Sequence, residues 1–187
     1  NFYSGKTADI IEFAKVATSS DAGANGLIFL PYVFGERAPY YNPDLRGVFF
    51  GLAQHHTQAH LMRALLEGIC FEIRSIVESI EESIEQVSEI LASGGFVRSP
   101  LWLQLMANVL QKNITLHDVN DASSLGAAII AFKAIGEHVI FDGSEKKLVF
   151  EPDKALIPLY DDAYGIFSRS TQLLEKEFSQ IVRLQQS

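Results

Sequence analysis

Between residues 88 and 135 the chain changes its hydrophobic period repeatedly, and this alternation limits the fold more than any other feature of the sequence. The run SEILAS (88–93) is short, apolar and closed by Gly94-Gly95, which suits a strand. Ser99-Pro100 then opens a helix over 100–111. The serine hydroxyl can take an orphan N–H at the N-cap, and proline suits the first helical position. NITLHD (113–118) reads as a strand, and 124–135 as a helix. Two apolar runs of strand length precede them, LIFLPYV (27–33) and VFFGLA (48–53). Pro31 places the first at an edge or ends it early. A strand pair followed by strand–helix–strand–helix predicts an α/β domain.

A long helix is predicted from Gln58, capped by Thr57. Its apolar positions Leu61, Leu65, Ile69, Ile73, Ile76, Val77, Ile80 and Ile84 recur in steps of three and four. Periodicity alone would carry it to Ile90, but the strand character of 88–93 breaks it near 83–86. Its acidic far end, ESIEESIEQ, reads as a solvated face. A short helix at 8–17 opens the chain. A helix at 160–184 closes it, with Tyr164, Phe167, Leu174, Phe178, Ile181 and Val182 as its apolar positions. Residues 137–159 read mostly as loop, with a short strand at Leu148–Phe150, and 35–47 as a loop rich in proline and glycine.

The chain has 187 residues, 48% of them apolar, enough to build a core without cross-links. Cys70 is the one cysteine, which excludes an internal disulfide framework, and its apolar helical setting predicts a buried, inert thiol. The net charge is −8 and no basic stripe is present, which argues against nucleic acid as a partner. No apolar run is long enough to span a bilayer, and no signal peptide opens the chain, so a cytoplasmic protein without membrane contact is expected. The start NFYSGKTADI lacks an initiator methionine and predicts a piece of a longer protein.

Five stretches carry candidate chemistry. SGKT (4–7) imitates the end of a phosphate-binding P-loop but lacks the earlier glycine and strand, and reads better as linker. In HHTQAH, His55, His56 and His60 suggest a metal. The cap at Thr57 puts His56 outside the helix, so surface histidines and no metal site are expected. In GERAP, Glu36 and Arg37 read as an ion pair fixing the loop. SSLGAAIIA (123–131) makes a helix start almost without side-chain bulk; close helix–sheet packing is the first reading, a seat for a flat adenine or ribose the second. In SGGFVRSP, glycines at a strand end let a ligand approach the backbone, and the following helix start favours negative charge. Standing alone, such a turn is more often found without a ligand.

Taken together and in order, GLIFLPYVFGERAPYYNPDLRGVFFGL, RALLEGI, ASGGFVRSPLWLQLMANVL and LGAAIIA resemble the C-terminal domain of the FGGY carbohydrate kinases over nearly the whole chain. The spacing of Gly47, Gly51-Leu52, His60-Leu61, Ala64 and Glu67 is similar to that family's second signature. The resemblance implies an actin-like ATPase, ribonuclease-H-like α/β fold with a mixed sheet flanked by helices. It implies a single domain, the nucleotide side of a two-domain sugar kinase that uses ATP and Mg²⁺. Carried over by position, Gly94, Gly95, Ser99 and Gly126 would form the nucleotide pocket, with Ser99 near adenine. Relatives usually carry aspartate at Asn108 and glutamate at Asp121, which puts local hydrogen bonding there in question. GERAP and SGGFVRSPLW look most like gluconate kinases, with xylulose kinases as the alternative. The implied partners are a sugar or sugar acid and the protein's own N-terminal kinase domain, with a homodimer as an option. In this family the general base lies upstream, so no catalytic residue is expected in this chain and the chain alone is expected to be inactive. A non-catalytic nucleotide-sensing or assembly module on the same fold is the reading from another class.

Overall fold

A computed structural model of the chain describes residues 10–83, 86–116, 122–137 and 148–186. Its helices are α1 (Ile10–Ala17), α2 (Gln58–Ser83), α3 (Pro100–Leu110), α4 (Ala122–Ala134) and α5 (Ile157–Gln186). Its strands are β1 (Ile28–Leu30), β2 (Val48–Phe50), β3 (Glu89–Ala92), β4 (Asn113–Leu116) and β5 (Leu148–Phe150). The break between α2 and β3 falls where the strand character of 88–93 placed it. β1 stops at Leu30, directly before Pro31, which has no N–H to give a ladder.

β1 and β2 form an antiparallel pair with Ile28 opposite Phe50 and Leu30 opposite Val48. The second sheet is mixed, in the order β3-β4-β5. β3 runs parallel to β4, with Ala92 opposite Leu116, and β5 lies antiparallel to β4, with Ile114 opposite Phe150. The two-residue period sorts this sheet's faces. Ile90, Ile114 and Phe150 turn to the core, while Leu91 and Val149 are exposed. α2 lies at the centre, against α1, α3 and β1, and α5 closes over β1 and α3. Phe71, Leu103, Ile114, Tyr160, Phe167 and Phe178 fill the space between them, each 1% exposed or less. Cys70 sits in the same core at 0% exposure, and burial pushes its thiol far up, so it stays protonated and inert as expected.

α2 departs from the amphipathic expectation. The positions Leu61, Leu65, Ile69 and Ile73 are only half-buried, whereas Arg63, Glu67, Glu72 and Ser75 are buried with Leu66, Cys70 and Phe71. Neighbours cover the first half of this helix on several sides, so a single apolar stripe does not describe it. Thr57 starts the helix through a variant of the capping box. The Nδ1 of His60 accepts from the Thr57 N–H at 2.9 Å, where a glutamate would ordinarily reach back.

Two other expectations are corrected. No ion pair between Glu36 and Arg37 is present among the described residues; Glu36 fixes the loop by itself, its Oε1 accepting from the Ala38 N–H at 2.6 Å. Close helix–sheet packing at Gly126 is also not seen. A Cβ built there would meet nothing within 4 Å, and Ile130, Phe132 and Ile135 around α4 are exposed. SGKT and Asp121 lie outside the described residues.

Candidate functional site

The glycine turn is built by the end of β3 and the start of α3. After Ala92 the chain leaves the sheet through Ser93 and reaches Gly94, whose φ of 105° and ψ of −172° belong to glycine. Gly95–Arg98 form one 3-10 turn, closed by Val97 N–H to the Gly94 carbonyl at 3.3 Å and Ser99 N–H to the Phe96 carbonyl at 3.0 Å. Gly94 and Gly95 are both exposed, and a Cβ at Gly94 would meet nothing within 4 Å. The turn therefore presents bare backbone to solvent, a surface on which a flat ring can lie without meeting a side chain.

Ser99 has a structural task. It is 2% exposed, and its hydroxyl accepts from the Trp102 N–H at 3.3 Å, with Pro100 at the first helical position. Ser99→Ala is expected to cost about 1 kcal/mol by loss of this cap. Urea unfolding would check it; a loss below about 0.3 kcal/mol would remove the capping role.

The parallel pairing of β3 and β4 places both carboxyl ends on one edge of the sheet, the edge at which open α/β sheets take ligands. The first ends at Gly94-Gly95, and the second leads on to α4, which carries half-buried Gly126. Asn108, near the far end of α3 from the turn, is 4% exposed. Its Oδ1 accepts from Gln104 Nε2 at 2.9 Å and from the Asp153 N–H at 2.8 Å. Both contacts ask only for an acceptor, so an amide oxygen serves where a carboxylate would.

A second polar assembly escaped the reading of the sequence. Glu67 Oε1 accepts from Arg63 Nε at 2.7 Å, from the Gly23 N–H at 2.9 Å and from the Tyr160 hydroxyl at 3.0 Å. Arg63 also reaches the Tyr160 hydroxyl at 3.0 Å. This network joins α2 to α5 and to the turn before β1. Burial pushes the Glu67 carboxyl up from its ordinary value, and the Arg63 charge only partly pulls it back. The i, i+4 spacing of Arg63 and Glu67 was the available signal, although it does not tell a buried pair from a surface one. Arg74 forms a more exposed hub, pairing with Glu78 at 2.9 Å and Asp161 at 2.8 Å while its guanidinium lies 4.3 Å from the centre of the Tyr164 ring.

His56 and His60 are held by hydrogen bonds. His56 Nδ1 accepts from the Ala53 N–H at 2.9 Å, and its Nε2 faces the Asn25 carbonyl at 3.2 Å. Among the described residues no group of three or more His, Cys, Asp or Glu side chains could hold a metal ion. A cavity of about 540 Å³ lies elsewhere, lined in part by Asp21, Gly23, Asn25, His60 and Asp162, and includes none of Gly94, Gly95, Ser99 or Gly126.

Known proteins of similar sequence and structure identify the family. The C-terminal domain model of the FGGY family of carbohydrate kinases matches residues 5–135. The chain is 35% identical over 180 residues to a gluconokinase of Bacillus licheniformis, covering 92% of the chain and 35% of that protein. It is 32% identical over 161 residues to a xylulose kinase of Staphylococcus epidermidis, covering 83% of the chain and 32% of that protein. Among solved structures, gluconate kinase from Lactobacillus acidophilus superposes with a TM-score of 0.79 at 29% identity, over 91% of this chain and 35% of that one. A ligand-bound xylulose kinase from the same organism gives 0.80 at 29% identity, over 91% and 36%. Plasmodium falciparum glycerol kinase with ADP shares the fold, with a TM-score of 0.70 at 24% identity over 86% of this chain and 33% of that one. The chain thus spans about a third of the length of the relatives it matches. The mixed sheet, its flanking helices and these superpositions are those of the actin-like, ribonuclease-H-like α/β fold. No helix among the described residues is long and apolar enough to cross a membrane. The family model spans well over half of the chain, and the chain belongs to the FGGY carbohydrate kinases, whose C-terminal domain it matches.

Proposed function

We propose that the intact protein is an ATP-dependent sugar kinase acting on gluconate, and that this chain is its nucleotide-side domain. The observation that carries the reading is the bare, exposed Gly94-Gly95 turn at the carboxyl end of β3, leading into a capped helix within a chain of this family. Gly94 and Gly95 form one wall for the adenosine part of ATP. Ser99 holds that wall in place as the cap of α3 and lies beside the base, and Gly126 keeps the opposite helix start bare. ATP is the phosphoryl donor. Mg²⁺ would accompany its phosphates, and the aspartate that would hold it is expected, like the general base, in the N-terminal kinase domain. The general base and the sugar contacts are assigned to the protein's N-terminal kinase domain, since phosphoryl transfer rests on positioning and charge stabilisation from both sides of a cleft. The 187-residue chain alone is therefore expected to phosphorylate no sugar. The protein works in the cytoplasm.

The test is a panel of gluconate, xylulose, glycerol and ribulose with ATP and Mg²⁺ on the intact protein. Gluconate is expected to be turned over fastest. The 32% identity to a xylulose kinase supports xylulose as the second reading, and faster turnover of xylulose would favour it. No turnover of any sugar, with ADP still bound, would favour a nucleotide-sensing module. Gly95→Val places a branched side chain on the wall and is expected to weaken ADP binding by about tenfold or more, an effect of about 1.4 kcal/mol by calorimetry. Unchanged affinity would remove the turn from the nucleotide site.

A further inference from the structure

Glu81, Val87 and Lys112 come from three parts of the chain and meet at one point. Glu81 stands in the last turn of α2, Val87 just before β3, and Lys112 between α3 and β4. Glu81 Oε1 accepts from the Val87 N–H at 2.9 Å and from Lys112 Nζ at 2.7 Å. Lys112 Nζ also donates to the Val87 carbonyl at 2.9 Å. The side chains of Lys112 and Glu81 are only 18% and 22% exposed. The acidic end of α2 reads from sequence as a solvated face, yet Glu81 is turned inward to these two donors.

The contact lies at the base of the unit that carries the glycine turn. β3 runs out to Gly94-Gly95, and α3 follows from Ser99 to Leu110. A helix that joins two parallel strands runs back along them. Val87 precedes the strand and Lys112 follows the helix, so their hydrogen bond closes the unit at the end away from the turn. The helix end is itself anchored. Arg74 Nη1 donates to the Val109 carbonyl at 3.3 Å, and Gln111 Nε2 to Asp161 Oδ1 at 2.6 Å, which tie it to α2 and α5. β3 is four residues long and has β4 as its one ladder neighbour among the described residues. A shift of so short an edge strand along its neighbour would change its register and carry the attached turn with it.

We propose that Lys112, together with Glu81, is a positioning residue for the nucleotide: it pins the entry of β3 to the end of α3 and so fixes where the Gly94-Gly95 wall stands. Lys112 acts from the far end of the strand, through the turn. The role rests on the reading of that turn as the nucleotide wall, which Gly95→Val tests by itself.

The intact protein is assayed with the sugar it turns over fastest, and with ADP by calorimetry. Lys112→Met keeps the aliphatic stem but has no donor. It is expected to raise KM for ATP and to weaken ADP binding by about fivefold or more, with KM for the sugar unchanged. Glu81→Ala removes the shared acceptor and should act in the same direction. Lys112→Arg can still donate to Glu81 and to the Val87 carbonyl, and should recover most of the loss. A variant that had merely lost folded protein would lower apparent kcat and leave both KM values unchanged. Unchanged ADP affinity in Lys112→Met, an equal rise in both KM values, or a Lys112→Arg variant no better than Lys112→Met would overturn the positioning role and leave the nucleotide wall standing. Absence of ADP binding by the wild-type protein would overturn the wall, and this role with it.

Discussion

Arg63→Met is expected to destabilise the intact protein by about 3–5 kcal/mol, the loss typical of a buried ion pair that keeps one charge. The side chains of Arg63 and Glu67 are 9% and 3% exposed, so water cannot take over from the lost guanidinium. Methionine preserves most of the aliphatic stem, which assigns the loss to charge and hydrogen bonding. Glu67 would keep the Gly23 N–H and the Tyr160 hydroxyl as donors but no cation. The deficit should shrink at low pH. Burial already raises the Glu67 carboxyl, and without Arg63 it would rise further, so taking up a proton relieves the buried charge. Adding Glu67→Gln removes that charge while the amide oxygen still accepts both donors, and the double variant should recover more than half of the loss. Urea unfolding near neutral pH measures all three proteins. A single-variant loss below about 1 kcal/mol would place the pair in the energy range of surface salt bridges and refute its role in joining α2 to α5.

Gly68→Ala is the second large effect, and it comes from packing. α2 crosses β1 so closely that a Cβ at Gly68 would run into the Phe29 carbonyl oxygen, with the Phe29 carbonyl carbon at 3.1 Å and its Cβ at 3.2 Å. The obstacle is strand backbone, which cannot swing aside as a side-chain tip does. Alanine gains about 1 kcal/mol over glycine in helix propensity. Separating α2 from β1 costs about 3 kcal/mol or more, the upper range of core overpacking. A net loss of about 2 kcal/mol or more is expected in urea unfolding. A stabilised variant would mean that the helix and strand do not touch as described. Gly68 directly follows Glu67, so one turn of helix carries both the closest backbone approach and the buried network.

Most of the elements were legible because their signals are local. Ser99-Pro100 fixes where α3 begins through a cap and a preset backbone angle, and both act within a few residues. Pro31 ends β1 because it has no N–H for the ladder. Leu148–Phe150 was recognised as a strand, although its antiparallel place beside β4 was not assigned. The glycine turn was legible as a turn. Its reading as a nucleotide wall came from the company of the other motifs, since backbone conformation does not by itself name a ligand. The Arg63–Glu67–Tyr160 network went unread because Tyr160 is 93 residues from Glu67 along the chain. No local pattern joins them. The Glu36–Arg37 pair failed for the opposite reason: neighbours in sequence need not face each other, and the Ala38 N–H offered Glu36 a nearer donor.

By itself the sequence determined the order of strands and helices, the starts of α2 and α3 and the family to which the chain belongs. Those depend on backbone preferences, caps and short motifs, which act over a few residues. Only the tertiary structure decided which charges go inside. A 3.6-residue period assigns one face of a helix to the core and the other to water, and that holds when one side alone is covered. α2 is covered by α1, α3 and β1 together. Arg63 and Glu67 are therefore buried as partners, and Glu72 is buried with no hydrogen bond to either carboxyl oxygen.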